Sequence, residues 1–348
     1  MELENPNALT LTLSPERSIT EGHVAVTDLG QGFDIELKLM NTVCTYIARA
    51  KSIIIEPYTN SVITLEIEEI KPHIILPAKK TGSAPSITCT FFAVANPEKK
   101  DGLVFKGSID ASGIHEFAFD KYGRLFFLHA TSGFSNPVLS TYDNSVTLNS
   151  THFKKNLFID TEDNTVYYGS DSLYKRALFW DSWGTEETSV RIGPNDKRKI
   201  SVGKHYIVTS DTIYTTEYYY YLRCIDKFDM TNVVKKIKIS KQGAYFYPYV
   251  LDIIVDGDIL YVIIKNYSTS LKWSKLYVYS LPDFKLLKTV TGFYSAIQFL
   301  GKRDGKIYIA DKHSNTAIPK RLGIYDTLTG KLKFIDVKEF SNEIEFAW

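Results

Sequence analysis

The chain has 348 residues, of which 44% are hydrophobic and 23% are charged, and its formal net charge is +1. A chain of this size and composition forms one large or two ordinary globular domains with a substantial core. The nearly balanced charge argues against duplex nucleic acid as a partner, because nucleic-acid binding requires a basic surface. No apolar run approaches the roughly 20 residues that span a bilayer, so no membrane span is predicted.

The amino terminus, MELENPNALT, lacks the basic and apolar regions of a secretory signal, so we expect no signal peptide. The three cysteines, Cys44, Cys89 and Cys224, form no C-x-x-C pair and predict buried free thiols. Methionine and glutamine are scarce while isoleucine, tyrosine and lysine are abundant, a composition typical of thermophile proteins.

Residues 1–68 contain short alternating segments that predict strands, such as FDIELKLM and SVITLEIEEI. The stretch MNTVCTYIARAK is compatible with a strand or a short helix. We interpret 1–68 as a β-rich extension that serves assembly or attachment. Residues 76–85, LPAKKTGSAP, have the Pro, Gly and Ser content of a linker before a second domain at 70–348.

A repeat begins in this second domain. Apolar strands end in a polar residue whose side chain can cap the following turn, at intervals of 38 to 54 residues by subtraction of the positions. The capped strands end at Asn96, Asp143, Asp181, Asp226, Ser280 and Asp326. Upstream of most caps lie two alternating segments joined by a Gly, Asp or Asn turn, as in YVLDIIVDGDILYVIIK, and downstream lies a fourth strand.

Four strands in about 40–50 residues constitute the blade of a β-propeller. The pattern resembles quinoprotein-like and WD-like propellers, most closely in IYDTLTGKLKFI at 324–335. The resemblance implies an all-β, six-bladed propeller, or a five-bladed one if the Asn96 unit does not belong to the series. The end of the chain, SNEIEFAW, is similar to the first strands of the repeats, which predicts that Glu343–Trp348 closes the ring as the innermost strand of the blade formed by residues ~70–110.

Four consecutive tyrosines, Tyr218, Tyr219, Tyr220 and Tyr221, lead into the predicted third strand of one blade. Because blades pack face to face, both faces of such a strand can be buried, and tyrosine suits this environment. The alternative is a binding surface in which the rings stack on a sugar or a base.

Polar side chains recur at equivalent positions of the innermost strands, on the same side of the alternating pattern. Glu116, Asp252, Gln298 and Glu345 all occupy these positions and should point toward the central channel. Their oxygens could hold Ca²⁺, and paired carboxylates could act as acid or base. The alternative is a water-filled channel. The matching positions of the other two blades, near Leu157 and Arg198 or Lys199, carry no carboxylate.

Two functional interpretations follow, because propellers host many activities. The first is a non-enzymatic binding or structural propeller in a larger assembly, such as a virion surface or tail component, with protein partners and a cell-surface receptor or glycan. The second is a metal-dependent hydrolase or lactonase with its site in the channel. Motifs for a serine nucleophile or a phosphate-binding loop are missing, so we favour the non-enzymatic interpretation and expect no cofactor, with channel Ca²⁺ as the alternative. The protein is expected in a virion or in the cytoplasm.

Overall fold

The computed structural model describes most of the chain and divides it into two compact units, residues 1–73 and 74–348. The described residues are 9–13, 22–23, 33–40, 42–53, 61–83, 86–99, 102, 104–110, 113–130, 138–142, 147–149, 157–169, 172–179, 184–185, 187–191, 199–214, 218–239, 247–267, 272–312 and 320–346. No α-helix occurs among these residues, and no helix there is long and apolar enough to cross a membrane.

The first unit is a five-stranded sheet in the order β1-β5-β4-β3-β2. Its strands are β1 (Leu9–Leu13), β2 (Gly22–His23), β3 (Phe33–Met40), β4 (Cys44–Ile53) and β5 (Ser61–Pro72). Strand β1 pairs parallel to β5, and the other pairs are antiparallel. The β-rich extension is thus confirmed. Within MNTVCTYIARAK, Met40 ends β3 and the segment from Cys44 onward belongs to β4, because its β-branched and aromatic residues suit a pleated surface better than a helix.

The second unit consists of six antiparallel sheets, which are the blades of a propeller. Blade 1 contains β6 (Ile74–Ser83), β7 (Ser86–Val94) and β8 (Val104–Asp110). Blade 2 contains β9 (Gly113–Phe119), β10 (Leu125–Ala130), β11 (Val138–Thr141) and β12 (Thr147–Asn149), and blade 3 contains β13 (Leu157–Asp160), β14 (Thr165–Gly169), β15 (Ser172–Ala177) and β16 (Glu187–Arg191).

The remaining three blades repeat the same four-stranded order. Blade 4 contains β17 (Lys199–Val202), β18 (Tyr206–Tyr214), β19 (Tyr218–Asp226) and β20 (Val233–Ile239). Blade 5 contains β21 (Tyr247–Asp256), β22 (Ile259–Tyr267), β23 (Lys272–Ser280) and β24 (Lys285–Val290), and blade 6 contains β25 (Ala296–Arg303), β26 (Lys306–Asp311), β27 (Arg321–Asp326) and β28 (Leu332–Asp336), followed by a short 3₁₀ helix, Val337–Glu339. The prediction of six blades is confirmed.

The end of the chain closes the ring on the free edge of β6. Ile344 forms an isolated antiparallel bridge with Ala78, and the backbone nitrogens of Glu345 and Phe346 each donate to the carbonyl of Pro77 at 3.2 Å. Ile344 and Phe346 are 1% and 3% exposed, so the closing segment is held by burial of its apolar side chains as well as by these bonds. The predicted closure is confirmed, with a single bridge in place of a regular strand.

The stretch 76–85 is no linker, contrary to the sequence-based expectation. Residues 76–83 belong to β6, in which Leu76 and Ala78 are completely buried. The pairing register between β6 and β7 shifts between Pro77 and Lys80, where a bulge allows the strand to continue past the proline. The apolar residues Ile74, Ile75 and Leu76 determine the strand and outweigh the loop-like composition that follows them.

The core is distributed between neighbouring blades, and each large apolar cluster is shared by two of them. Blades 4 and 5 share a cluster around Leu222 and Leu260, and blades 5 and 6 share one around Ile263 and Ile309. Other clusters join blade 2 to 3, blade 3 to 4 and blade 6 to 1. Burial of each such Leu or Ile side chain contributes about 1.5–3 kcal/mol, so adjacent blades stabilise one another.

The structure shows side-chain caps at three of the predicted strand ends, Asn96, Asp226 and Asp326, whereas no cap by the Ser280 hydroxyl is found among the described residues. The Asp226 carboxylate accepts from the nitrogens of Phe228 and Asp229, and the Asn96 amide oxygen accepts from the nitrogen of Glu98. The caps predicted at Asp143 and Asp181 lie outside the described residues.

Candidate functional site

The site is built on the innermost strands of the blades, which are β9, β13, β17, β21 and β25. From β9 to β25, each of these strands contacts the innermost strand of the next blade, and β25 contacts β6 of blade 1. Because side chains alternate along a strand, every second residue of these strands points toward the channel that they enclose.

Lys199 lies between the two acidic residues of the channel. Its Nζ is 3.9 Å from Oε1 of Glu116 and 3.8 Å from Oδ1 of Asp252. The side chains of Lys199, Glu116 and Asp252 retain 25%, 24% and 12% of their surface, which is consistent with partial access to channel water. We call these three residues the channel triad. A single ammonium therefore faces two carboxylates.

The two carboxylates of the triad also join neighbouring blades. Oε2 of Glu116 accepts a hydrogen bond from the backbone nitrogen of Leu157 in the next blade at 2.9 Å. Oδ2 of Asp252 accepts from the nitrogen of Phe299 at 2.8 Å. Hydrogen bonds from a backbone N–H to a charged acceptor are stronger than neutral ones. Each carboxylate thus fixes the register between two innermost strands.

Burial changes the proton affinity of all three groups. Removal from bulk water raises the pKa of Glu116 to about 7, with a smaller contribution from the negative charge of Asp252, and Lys199 opposes the shift. Burial raises the pKa of Asp252 for the same reason. Burial alone would lower the pKa of Lys199, but Asp252 and Glu116 outweigh it and raise the pKa. Lys199 therefore remains charged at neutral pH, while Glu116 titrates there.

The structure brings together only two of the four residues predicted to form a metal site. Gln298 lies in β25, opposite Ala310, and Glu345 lies in the closing segment. Within the described part of the chain, no hydrogen bond or ion pair joins either side chain to Glu116 or Asp252, and no group of three His, Cys, Asp or Glu is arranged to hold a metal ion. The metal ring stays a prediction.

The tyrosine run forms the start of β19, the third strand of blade 4, as the sequence predicted. Tyr220 is 5% exposed and packs on Tyr249 of blade 5 with ring centroids 5.1 Å apart. Tyr221 is partly buried beneath Lys236, whose Nζ is 4.1 Å from the ring centroid. These two rings therefore serve packing. The side chains of Tyr218 and Tyr219 lie outside the described residues, and the role of the run in binding stays a prediction.

A second lysine lies between two carboxylates at the junction of blades 3 and 4. Nζ of Lys227, in the β19–β20 turn, is 2.7 Å from Oδ2 of Asp160, the last residue of β13, and 2.7 Å from Oδ2 of Asp163, in the β13–β14 turn. The Lys227 side chain is 5% exposed. Burial would lower its pKa, but the two aspartates outweigh that effect and raise it. We call these three residues the turn clamp.

Sequence reasoning missed the role of both lysines. In the sequence, Lys199 stands out only as an innermost-strand position that lacks a carboxylate. A lysine at a position equivalent to several carboxylates is, however, a signal of charge compensation. Lys227 directly follows the capping residue Asp226 and carries no periodic signal, because its partners lie more than 60 residues earlier in the chain.

Comparisons with known proteins give the fold and nothing finer. No family model matches the sequence, and no curated protein matches it. Among solved structures, lignostilbene dioxygenase from Pseudomonas brassicacearum is 9% identical, with 75% of this chain and 76% of that chain covered and a TM-score of 0.47. The β-propeller domain of the Trilobed protease from Pyrococcus furiosus is 11% identical, with 95% of this chain and 100% of that chain covered and a TM-score of 0.43.

A prolyl endopeptidase is 10% identical, with 90% of this chain covered and a TM-score of 0.41, and the aligned part spans about half, 49%, of that longer protein. At this level of similarity no functional conclusion follows.

Proposed function

We propose that the protein is a non-enzymatic binding or structural propeller that acts as part of a larger assembly. The observation that supports this proposal is the channel triad. Lys199 faces both Glu116 and Asp252, and the remaining oxygen of each carboxylate binds a backbone N–H of the next blade. Groups that satisfy one another in this way rigidify the ring and leave little negative charge to attract a cation.

The competing proposal is a metal-dependent hydrolase or lactonase that binds its ion with Glu116, Asp252, Gln298 and Glu345. The observation in its favour is the pKa of Glu116, about 7, which suits a general acid or base. The ammonium of Lys199 argues against it, because a divalent cation beside that group would be repelled unless the lysine moved.

Elemental analysis of the untagged full-length protein distinguishes the two proposals. We expect no stoichiometric divalent metal, and a melting temperature that changes neither with EDTA nor with added CaCl₂. The control is a Glu116→Gln/Asp252→Asn double variant, which retains the size and hydrogen-bonding groups of both side chains. One ion per chain in the wild type that is lost in the double variant would overturn the non-enzymatic proposal.

The finer form of the proposal is a virion surface or tail component that mediates attachment to a cell-surface receptor or glycan. It is supported by the combination of a propeller, whose loops suit recognition, with a separate β-rich unit at residues 1–73. We expect fluorescently labelled full-length protein to bind a defined group of sugars on a glycan array, with heat-denatured protein as control. Equal signals from the native and denatured protein would contradict attachment through glycans.

A further inference from the structure

The most exposed large apolar side chains in the described part of the chain lie on turns between the third and fourth strands of the blades. Phe228 is 79% exposed and Leu328 is 90% exposed, and each lies two residues after a capping aspartate. In blade 5 the comparable turn directs its aromatic residue inward, and Phe284 is 6% exposed. Outward apolar tips are therefore a feature of particular blades rather than a requirement of the turn.

Leu328 is held on a rigid turn. Oδ1 of Asp326 accepts from the nitrogens of Leu328 at 3.1 Å and Thr329 at 2.7 Å. Thr327 donates its backbone nitrogen and its hydroxyl to the carbonyl of Gly305, which ties the turn to the first turn of the same blade. A residue whose backbone is already fixed loses little backbone entropy on binding, which favours its use as an anchor.

Phe228 borders a groove of about 220 Å³ between blades 3 and 4. Tyr167 and Ala177 line it beside Phe228, and Asp163 and Lys175 supply charged groups. Its volume is below the roughly 300–1,000 Å³ of typical small-molecule sites, so it suits a single protruding side chain better than a metabolite. We call this feature the clamp groove, because Lys227 of the turn clamp lies in its wall.

The surroundings of Leu328 and of the clamp groove carry complementary charge. Lys331, on the same turn as Leu328, is exposed and forms no ion pair with any described residue. The turn that contributes Asp163 to the groove exposes Glu162 as well, and the Asp163 side chain is 53% exposed. Lys175 is the opposing charge in the groove, and Asp326 accompanies Leu328 on its turn.

Leu328 and the clamp groove lie on the same face of the propeller. In an antiparallel four-stranded blade, the first and the third turn emerge at the same end of the sheet. The clamp groove is formed at the first turn of blade 3 and the third turn of blade 4, and Leu328 lies on the third turn of blade 6. A two-fold axis could lie in the plane of this face, midway between Leu328 and the clamp groove. Such an axis would place Leu328 of each copy over the clamp groove of the other copy.

We infer that the propeller pairs face to face with a second copy of itself, with Leu328 of each copy inserted into the clamp groove of the other and Lys331 beside Glu162. The partner is a second copy because one surface supplies both the apolar tip and its receptor, with opposite charges beside them. This inference rests on the proposed assembly role, but the two can fail separately.

Sedimentation-velocity ultracentrifugation of the full-length protein over a range of micromolar concentrations tests the pairing. We expect a monomer–dimer equilibrium that Leu328→Asp weakens by about tenfold or more, because a buried leucine would be replaced by a charge. The control is Tyr294→Asp, a side chain 38% exposed in the connection between β24 and β25, which lies at the opposite end of the blades. Melting curves check that both variants fold.

A charge exchange tests the orientation of the two copies. Lys331→Glu and Glu162→Lys should each weaken the dimer, and the double variant should restore it. A wild-type protein that remains monomeric, a Leu328→Asp variant that dimerises as well as the Tyr294→Asp control, or a double variant no better than the single ones would each overturn the inference. The metal analysis and the glycan array would then still decide the proposed function independently.

Discussion

The channel triad and the turn clamp each place one lysine between two carboxylates, but the distances differ. Lys227 is 2.7 Å from both of its partners, within hydrogen-bonding range, whereas Lys199 is 3.8 and 3.9 Å from its own. In the channel the carboxylates direct their short hydrogen bonds to the backbone of the next blade. In the clamp the lysine itself is the link between the blades.

This difference separates two uses of a buried cation. The clamp lysine is a structural cross-link between two turns, so its removal leaves buried Asp160 without its partner. The channel lysine compensates charge, so its carboxylates keep their backbone bonds even when the proton content of the channel changes. The first arrangement should be sensitive to mutation, and the second should be sensitive to pH.

The largest expected effect is at the clamp. Lys227→Met retains most of the aliphatic chain and removes the charge, which leaves Asp160, 8% exposed, as an uncompensated carboxylate. We expect the free energy of unfolding to fall by about 3–5 kcal/mol, the usual result of removing one partner of a buried ion pair. Urea denaturation of the full-length protein at pH 7 measures it.

The matched control for the clamp is Asp163→Asn, which removes the partner that is 53% exposed. Solvent screens this pair, so the expected loss is about 1 kcal/mol or less. Equal losses in the two variants would show that burial does not determine the strength of the clamp.

A smaller effect is expected from the channel when the pH is changed. Glu116 ionises near its ordinary value, 4.5, in the unfolded chain and at about 7 in the folded protein. Between these values the folded state binds more protons, so the free energy of unfolding decreases as the pH rises from 4.5 to 7. This decrease in the free energy of unfolding is at most about 3 kcal/mol, and screening by channel water should make it smaller. The raised pKa of Asp252 acts in the same direction.

The Glu116→Gln variant sharpens this prediction, because glutamine can still accept the hydrogen bond from Leu157 but does not titrate. Its stability between pH 4.5 and 7 should depend less on pH than that of the wild type, as measured by urea midpoints across the range. Glu162→Gln, on an exposed turn, is the control and should retain the wild-type profile. Identical profiles in the wild type and Glu116→Gln would exclude Glu116 as the titrating group.

The sequence was sufficient to predict the propeller because its signals are local. Alternating strands, tight turns and capping side chains such as those of Asp226 and Asp326 each depend on a few consecutive residues, and their repetition identifies the blade. The stretch 76–85 was misread for the complementary reason. Its composition is that of a loop, but it forms a strand through pairing with β7 and through the burial of Leu76.

The channel triad was only half predictable. Strand periodicity predicts the same orientation for Glu116 and Asp252, and both contact Lys199, but the direction of a side chain does not determine its partners. Gln298 and Glu345 share that predicted orientation and yet form no described contact with the two carboxylates. The contact of Lys199 with both acids, and of Lys227 with Asp160, depends on how blades are rotated against each other, which is a long-range property of the ring.

The hydrogen bonds that the backbone nitrogens of Leu157 and Phe299 donate to Glu116 and Asp252 restrict the amino-acid choice at the acceptor positions only. The acceptor must be a side chain with an oxygen at the correct height, whereas the donor is a backbone nitrogen that every residue except proline supplies. Positions 116 and 252 should therefore tolerate few replacements, while 157 and 299 should vary with the packing behind them. Methods that infer contacts from correlated substitutions would overlook both bonds, although they join neighbouring blades at the centre of the ring.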